Sequence, residues 1–186
     1  GGGYSYSKIG DSNYTGYNGF LKLLYSLRSK PLYEDSLDDR ISLLYGIGLK
    51  YQELTMSQTT TIGNSSGVLT SSQAGLDLAF KYSIFSFSFL LNPYAYYGIN
   101  NIWTKNISIS SFITENINPK VTDLYEGGIG ALFLYKWPNI YMGPAFYYST
   151  TYVKYASCED SLFNVYTGNE GTFQTFFINF VIGFFI

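Results

Sequence analysis

Residues 172–186 read Thr-Phe-Gln-Thr-Phe-Phe-Ile-Asn-Phe-Val-Ile-Gly-Phe-Phe-Ile. Every second residue, counted back from the last, is large and apolar. That set is Phe176, Ile178, Phe180, Ile182, Phe184 and Ile186. The intervening positions are mixed and include Thr175, Asn179 and Gly183. A period of two with one uniformly apolar face predicts a β-strand. Because the apolar face continues to the last residue, where soluble chains usually fray into water, we expect a strand that closes a barrel in a lipid bilayer.

The composition of the chain favours a sheet in lipid. Aromatic residues make up 20% of the 186 residues and charged residues only 13%, whereas soluble domains average about 25% charged residues. No run reaches the about 18 apolar residues that a membrane helix needs, because apolar residues alternate with Ser, Gly, Asn and Thr. The sequence therefore predicts one domain, residues 1–186, folded as a membrane β-barrel.

The same alternation recurs along the chain and predicts eight strands. Clusters of Gly, Asn, Ser and Pro separate the apolar runs, as turns between strands do. The predicted strands are residues 1–10, 17–28, 40–53, 72–82, 85–97, 121–135, 140–155 and 172–186. We expect an all-β, transmembrane, eight-stranded antiparallel up-and-down β-barrel. Pro93 cannot donate to a ladder, so we expect a bulge or a change of register there.

The predicted connections differ in length in a regular way. The turns near Ser83 and at 136–139 are short, whereas 54–71, 100–120 and 156–171 are long polar loops. Outer-membrane barrels have short periplasmic turns and longer outer loops. The pattern therefore predicts the bacterial outer membrane, with both termini in the periplasm. The connection 29–39 is an exception, because it is long for a periplasmic turn.

A soluble lipocalin-like, ligand-binding barrel is the alternative, since its strands alternate in the same way with the apolar face turned inward. The less apolar faces carry mostly Ser, Gly, Asn and Ala, with far less charge than an exterior in water carries. Tyr and Trp residues cluster near the predicted strand ends, where such rings form interfacial girdles. These residues are Tyr25, Tyr33, Tyr45, Tyr51, Tyr82, Tyr94, Tyr96, Tyr97, Tyr125, Tyr135, Trp137 and Tyr141. Both observations favour the membrane barrel.

Four segments resemble the small outer-membrane barrels of the OmpX/Ail family. They are Gly2-Gly3-Tyr4, Gly19-Phe20-Leu21, Gly127-Gly128-Ile129-Gly130 and the alternating segment 176–186. Terminal strands of that family usually end in Phe, whereas this one ends in Ile. The resemblance implies a monomeric barrel without an open pore, whose outer loops serve adhesion or resistance to host defences. It also implies that the barrel assembly machinery recognises the terminal strand. The insertion residues would be Phe176, Phe180, Phe184 and Ile186.

The residue types argue against catalysis. The chain has no histidine, which removes the Ser-His-acid triad and the commonest general base and metal ligand. We predict a non-enzymatic protein without a cofactor or a metal. The net charge is −2 and the basic residues are scattered, so we expect no nucleic-acid partner. Cys158 is the single cysteine, which either pairs with another chain or stays a free thiol. The acidic connection 34–39 lacks the spacing of a calcium loop.

Two groups of residues remain as functional candidates. The first is a set of charges predicted inside the barrel, either an ion pathway or, as we favour, a salt-bridge network that fills a closed interior. It comprises Lys22, Arg28, Lys50, Asp77, Lys81 and Glu126.

The second group lies in loop 100–120, whose apolar residues mark a contact surface or extend a hairpin. It comprises Trp103, Ile107, Ile109 and Phe112. We therefore predict a barrel surrounded by membrane lipid whose outer loops bind a protein partner, in adhesion or in an envelope complex. A small passive channel is a further alternative.

Overall fold

A computed structural model describes most of the chain. The described residues are 1–9, 12–27, 41–60, 63–110, 113–117, 120–138, 140–156, 158–159, 165–166 and 169–184. Their regular secondary structure is β-strand, so the all-β prediction is confirmed. Within these ranges, no helix combines the length and the hydropathy needed to cross a membrane.

The described residues form eleven strands, of which three are short. The strands are β1 Gly2–Ile9, β2 Ser12–Leu27, β3 Ile41–Thr60, β4 Gly63–Ile84, β5 Phe87–Ser110, β6 Ile113–Ile117, β7 Val121–Trp137, β8 Ile140–Tyr155, β9 Cys158–Glu159, β10 Val165–Tyr166 and β11 Asn169–Phe184. The short strands are β6, β9 and β10. β9 and β10 pair only with each other.

The eight long strands form one antiparallel ring. Its order is β1, β2, β3, β4, β5, β7, β8 and β11, and β1 pairs with both β2 and β11 to close it. The predicted eight-stranded antiparallel arrangement is therefore confirmed. β1 begins opposite Phe180 of β11 and Gly19 of β2. From that level to the ends of β2 at Leu27 and β11 at Phe184, no described strand lies between β2 and β11.

The two ends of the ring differ. At the turn end, a two-residue turn joins β4 to β5, and β7 ends at Trp137 just before β8 begins at Ile140. At the opposite end, which we call the hairpin end, β3 and β4 remain paired from Leu54 with Leu69 up to Thr60 with Gly63. The predicted loop 54–71 is therefore wrong. Its Thr residues favour strands, so polar composition alone misplaced the boundary.

The other two long connections also contain strands. β5 continues to Ser110 and pairs with β6. Of the two alternatives for loop 100–120, the extended hairpin is therefore the correct one for residues 100–110 and 113–117. β11 begins at Asn169, and β9 and β10 precede it. Most of the described backbone at the hairpin end is therefore paired.

The turn between β4 and β5 lies two residues later than predicted. Phe85 and Ser86 form it, and Phe85 has a φ of 50°. Two-residue hairpin turns need a positive φ, which Asn and Gly adopt most readily. Since the sequence has Phe in this position, neither the turn nor the start of β5 at Phe87 could be recognised from turn residues.

Pro93 does not shift the register, so that prediction is wrong. Pairing of β4 with β5 stops after Asp77 with Tyr94 and resumes in the same register at Phe80 with Leu91. The missing proline donor is replaced locally, because Asn92 Nδ2 donates to the Leu78 carbonyl at 2.8 Å. The register shift lies farther along, between Ser72 and Gln73 of β4.

Side chains that point into the ring form layers. An apolar cluster lies toward the turn end and includes Leu44, Leu90, Leu132 and Val181. A second apolar cluster lies toward the hairpin end. Its buried members are Leu54, Leu69, Val121, Leu124, Val153 and Phe173. Lys22, Lys50, Asp77 and Glu126 lie between the two clusters, at the level where candidate function has to be examined.

Candidate functional site

The predicted interior charges lie on the inward face of the ring. Lys50, Asp77 and Glu126 are buried, and Lys22 and Lys81 are half-buried. They lie on β2, β3, β4 and β7, so the ring brings them together from four strands. Arg28, predicted in the same set, lies outside the described residues.

Lys22 reaches across β3 to the strands beyond it. Its Nζ lies 2.6 Å from Asp77 Oδ1 and donates to Asn92 Oδ1 at 2.5 Å. Asp77 also accepts from Asn92 Nδ2 at 3.1 Å and from the Tyr96 hydroxyl at 2.7 Å. The Lys22 ammonium lies 4.9 Å from the centre of the Tyr147 ring. The buried carboxylate thus has a counter-charge and two further donors, which offset its desolvation.

Lys50 forms the second pair, across the interior. Its Nζ lies 2.5 Å from Glu126 Oε1 and 2.7 Å from Oε2. The Tyr94 hydroxyl donates to Glu126 Oε1 at 2.9 Å, and the ammonium lies 3.9 Å from the centre of the Phe177 ring. Each ion pair therefore links two strands that share no backbone ladder. The first pair links β2 to β4, and the second links β3 to β7.

Lys81 lies nearer the turn end, away from both carboxylates. Its Nζ is 3.3 Å from the Tyr141 hydroxyl and 4.8 Å from the centre of that ring. The predicted set of charges therefore divides into two buried ion pairs and a lysine packed on an aromatic ring.

The tyrosines of this network were not predicted to lie inside the ring. Tyr94, Tyr96 and Tyr141 are buried inside the ring, so their predicted place in the outer girdles is wrong. Tyr94 and Tyr96 alternate with outward residues in step with Asn92, which is also buried. That parity was the signal in the sequence that could have placed them inside. Tyr33, also predicted in a girdle, lies outside the described residues.

Glycines on the facing strands make room for these rings. A Cβ at Gly48 would overlap the Tyr96 hydroxyl, and one at Gly130 would overlap the Tyr147 ring. Tyrosine rings therefore lie where the neighbouring backbone has no side chain, as close packing requires. The glycines fit a filled interior for that steric reason.

The space left between the two lysines is small. A cavity of about 10 Å³ remains, lined by residues that include Lys22, Lys50 and Asn179. That volume is about the minimum that holds one water molecule. At this level the described side chains leave no room for a hydrated ion, so the network closes the interior.

A polar layer separates the ion pairs from the hairpin-end cluster. Gln52, Ser71, Gln73 and Thr151 are buried in it, and Gln73 Nε2 donates to Ser71 Oγ at 2.9 Å. The apolar cluster then covers this layer. Packed apolar side chains therefore lie over the polar layer at the hairpin end.

Three of the four loop candidates lie on a strand instead of a loop tip. Trp103 belongs to β5, is half-buried, and packs edge-on against Tyr155 with ring centres 5.1 Å apart. Ile107 and Ile109 also lie in β5, but their side chains are outside what the structure describes, and Phe112 lies outside the described residues. Trp103 therefore supports the hairpin-end cluster from within.

Other candidates lie partly beyond the described residues. Cys158 belongs to β9 and pairs with Tyr166; its side chain is not among those described. The acidic connection 34–39 lies outside the described residues. Among the side chains that are described, no group of three or more His, Cys, Asp or Glu could hold a metal ion.

The outward face of the ring is a continuous band of large apolar side chains. On β11, Phe176, Phe180 and Phe184 point outward and are exposed, whereas Ile186 lies outside the described residues. The band continues on each of the remaining seven long strands. Further exposed members are Tyr4, Leu21, Leu23, Ile47, Leu49, Leu76, Phe80, Phe87, Phe89, Ile129, Phe133, Phe146, Ile178 and Ile182.

Aromatic rings border this apolar band at both edges. Tyr25 and Tyr45 pack 5.6 Å apart toward the turn end, and Tyr97 and Tyr125 pack 5.1 Å apart toward the hairpin end. Beyond the second pair, outward positions become charged. These positions are Glu53, Asp123, Lys154 and Glu170.

Tyr152 lies beyond the apolar band and forms a hydrogen bond with a carboxylate. The Tyr152 hydroxyl donates to Glu170 Oε2 at 2.6 Å. This hydrogen bond, together with partial desolvation and the nearby negative charge, raises the pKa of Tyr152 above its ordinary value. The pair links β8 to β11 on the polar side of the boundary.

Comparison with known proteins adds no identification. No protein-family model matches the chain, and no curated protein matches it. The candidate function therefore rests on the ring, its filled interior and its apolar exterior.

Proposed function

We propose that the chain is a β-barrel of the bacterial outer membrane that binds a protein partner at its hairpin end and has no catalytic role. The band of exposed apolar side chains carries the membrane part of this proposal. Monomeric soluble proteins rarely expose apolar patches larger than a few hundred Å², and this band surrounds the ring. On β3 it extends from Ile41 to Tyr51, which matches the about 9–11 residues of a tilted membrane strand.

The arrangement of polarity supports lipid outside and protein inside. The charged and amide side chains near the middle of the ring point inward, where they pair with one another. A soluble barrel of the lipocalin type would have the opposite polarity. The aromatic borders resemble the girdles that mark membrane interfaces. The filled interior also favours this function over a passive channel.

A direct test is whether the folded chain needs a membrane mimic. We expect it to stay monodisperse only in detergent or lipid, and to migrate on unheated gels differently from the heat-unfolded chain. A folded, monodisperse protein in detergent-free buffer would overturn the membrane proposal and favour the soluble alternative.

The partner part of the proposal rests on how far three strands of the ring extend beyond their neighbours, where the short strand β6 joins them. β3, β4 and β5 contain 20, 22 and 24 residues, about twice the 9–11 that a bilayer requires. β2 pairs with β3 only as far as Met56, and β7 pairs with β5 only as far as Tyr97. Beyond these points, β3, β4, β5 and β6 form a sheet that we call the extension.

The extension has strand edges that meet no other described strand. One edge is β3 from Ser57 to Thr60, and the other is the side of β6 that faces away from β5. Free edges offer unpaired N–H and C=O groups to an added strand. We propose that a partner, an adhesion target or an envelope subunit, pairs with one of these edges. Adhesion and complex formation both use this geometry.

Site-specific photo-cross-linking tests the edge. A photoreactive residue at Glu115 of β6 should capture a partner from intact cells or host matrix, whereas one at Thr172 of β11 should not. Thr172 is exposed at the same end but lies within a paired strand. A Thr114→Pro substitution should abolish the Glu115 adduct, because proline has no backbone N–H to donate to an added strand. Equal capture from both positions would contradict an edge-specific site.

A further inference from the structure

The small cavity between the two ion pairs has polar side chains in its lining. Its volume is about 10 Å³, and Lys22, Lys50, Tyr147 and Asn179 contribute to its walls. A cavity holds a water molecule when it offers about 10–15 Å³ and two to four polar partners. The volume meets the first requirement, so the polar atoms of the lining decide the second.

Two polar atoms of the lining have no hydrogen-bond partner among the described residues. They are Asn179 Oδ1 and the Tyr147 hydroxyl oxygen. Each of these residues is 4% exposed, so both atoms are shielded from bulk water. Since a buried polar atom without a partner costs the free energy of its desolvation, both atoms favour a small polar molecule in the cavity that their side chains line.

The two lysines supply donors to the same cavity. An ammonium group has three N–H bonds. Lys22 Nζ uses two of them on Asp77 Oδ1 and Asn92 Oδ1. Lys50 Nζ uses two on the carboxylate oxygens of Glu126. Each lysine thus has one N–H beyond its described hydrogen bonds, and two donors and two acceptors complement one water molecule.

We propose that the cavity holds one water molecule, which accepts hydrogen bonds from Lys22 and Lys50 and donates to Asn179 and Tyr147. No described hydrogen bond joins the two ion pairs directly. The water therefore joins them into one hydrogen-bonded network across the interior. This inference depends on the interior alone, so it holds or fails independently of the membrane location and of the partner.

A small anion is the other occupant that two lysines could attract. The described charged side chains at this level are two lysines and two carboxylates that pair with each other, so their charges cancel. An added anion would be an uncompensated buried charge, whereas water brings no charge. The balance of charge therefore favours water.

A crystal structure of the detergent-solubilised protein, at a resolution that shows ordered water, tests the site without any variant. We expect one density peak in the cavity, about 2.7–3.2 Å from Asn179 Oδ1, the Tyr147 oxygen and at least one lysine Nζ. Absence of a peak would overturn the proposal. Crystals grown in sodium bromide distinguish an anion, because bromide scatters X-rays anomalously. An anomalous peak in the cavity would also overturn the proposal.

A double-mutant cycle tests the bridge in solution. Asn179→Leu keeps the branching of the side chain but removes the acceptor, so the water should be lost. Tyr147→Phe should raise the unfolding equilibrium constant at least about twofold more in the parent than in the Asn179→Leu background, because that background has no bridge to break. Urea unfolding in detergent micelles measures both constants, and gel mobility without heating verifies that each variant is folded.

Tyr141→Phe is the matched control for the cycle. Tyr141 is also a buried tyrosine, but it pairs with Gly183, four residues beyond Asn179 on β11. Its substitution should therefore have the same effect in the parent and in the Asn179→Leu background. Equal effects of Tyr147→Phe in the two backgrounds would overturn the water bridge.

Discussion

Replacing one member of the Lys50–Glu126 pair should destabilise the ring more than replacing both. The side chain of Lys50 is 5% exposed and that of Glu126 is 0% exposed. Water therefore cannot solvate the charge that a single substitution leaves behind. Removing one partner of such a buried pair typically costs about 3–5 kcal/mol of the free energy of unfolding.

The surroundings predict which single substitution is worse. In Lys50→Met, Glu126 loses its counter-charge and retains only the Tyr94 hydroxyl as a described donor, so the loss should approach about 5 kcal/mol. In Glu126→Gln, Lys50 still lies over the Phe177 ring, which offsets part of the loss, and about 3 kcal/mol is expected. The double variant buries no unpaired charge from this pair and should lose about 1–2 kcal/mol.

Urea unfolding in detergent micelles measures these free energies. Tryptophan fluorescence and gel mobility without heating should give coincident transitions for each variant. Lys154→Met, which removes an exposed cation, is the matched control and should change the free energy little. A double variant as unstable as Lys50→Met, or single variants within about 1 kcal/mol of the parent, would refute the reasoning about buried charge.

Three further predictions concern single positions. Phe85→Asn should stabilise the β4–β5 turn by about 1 kcal/mol, because Asn tolerates the φ of 50° better; urea unfolding checks this, and lower stability would contradict it. Glu170→Gln should lower the pKa of Tyr152, followed by absorbance at 295 nm during alkaline titration. The pair stabilises below the ordinary tyrosine pKa of about 10 and is lost as pH rises through the raised value; an unchanged titration would contradict this. Gly48→Ala should cost about 1–3 kcal/mol by overpacking, while Gly19→Ala, where a Cβ meets only ordinary contacts, should be nearly neutral; equal losses would contradict the packing argument.

The faces of the strands could be predicted from the sequence because a period of two is local. Alternation placed Phe176, Phe180 and Phe184 outside and Lys50 and Glu126 inside. A strand cannot change this assignment without moving its whole apolar set to the other face. For that reason the all-β class and the eight strands of the ring could be predicted from the sequence.

The pairing of charges could not be predicted, since it depends on register between distant strands. Nothing near Lys50 in the chain indicates Glu126, which is 76 residues away. Tyr94 and Tyr96 were misplaced for a related reason: a tyrosine near a strand end fits a girdle or an interior equally well until the facing glycines are known. The long strands at the hairpin end were missed because Ser and Thr occur in loops and in strands alike.

The interior and the extension contribute separately to the proposed function. The ion pairs, their tyrosines and the facing glycines lie at the level of the apolar band. The extension is held by the ladders of β3, β4, β5 and β6. No described ion pair joins the two regions, so a change in the extension should leave the ring folded. Binding at the hairpin end could then vary in sequence without loss of insertion, because the residues that would meet lipid and the residues that would meet a partner belong to different parts of the same strands.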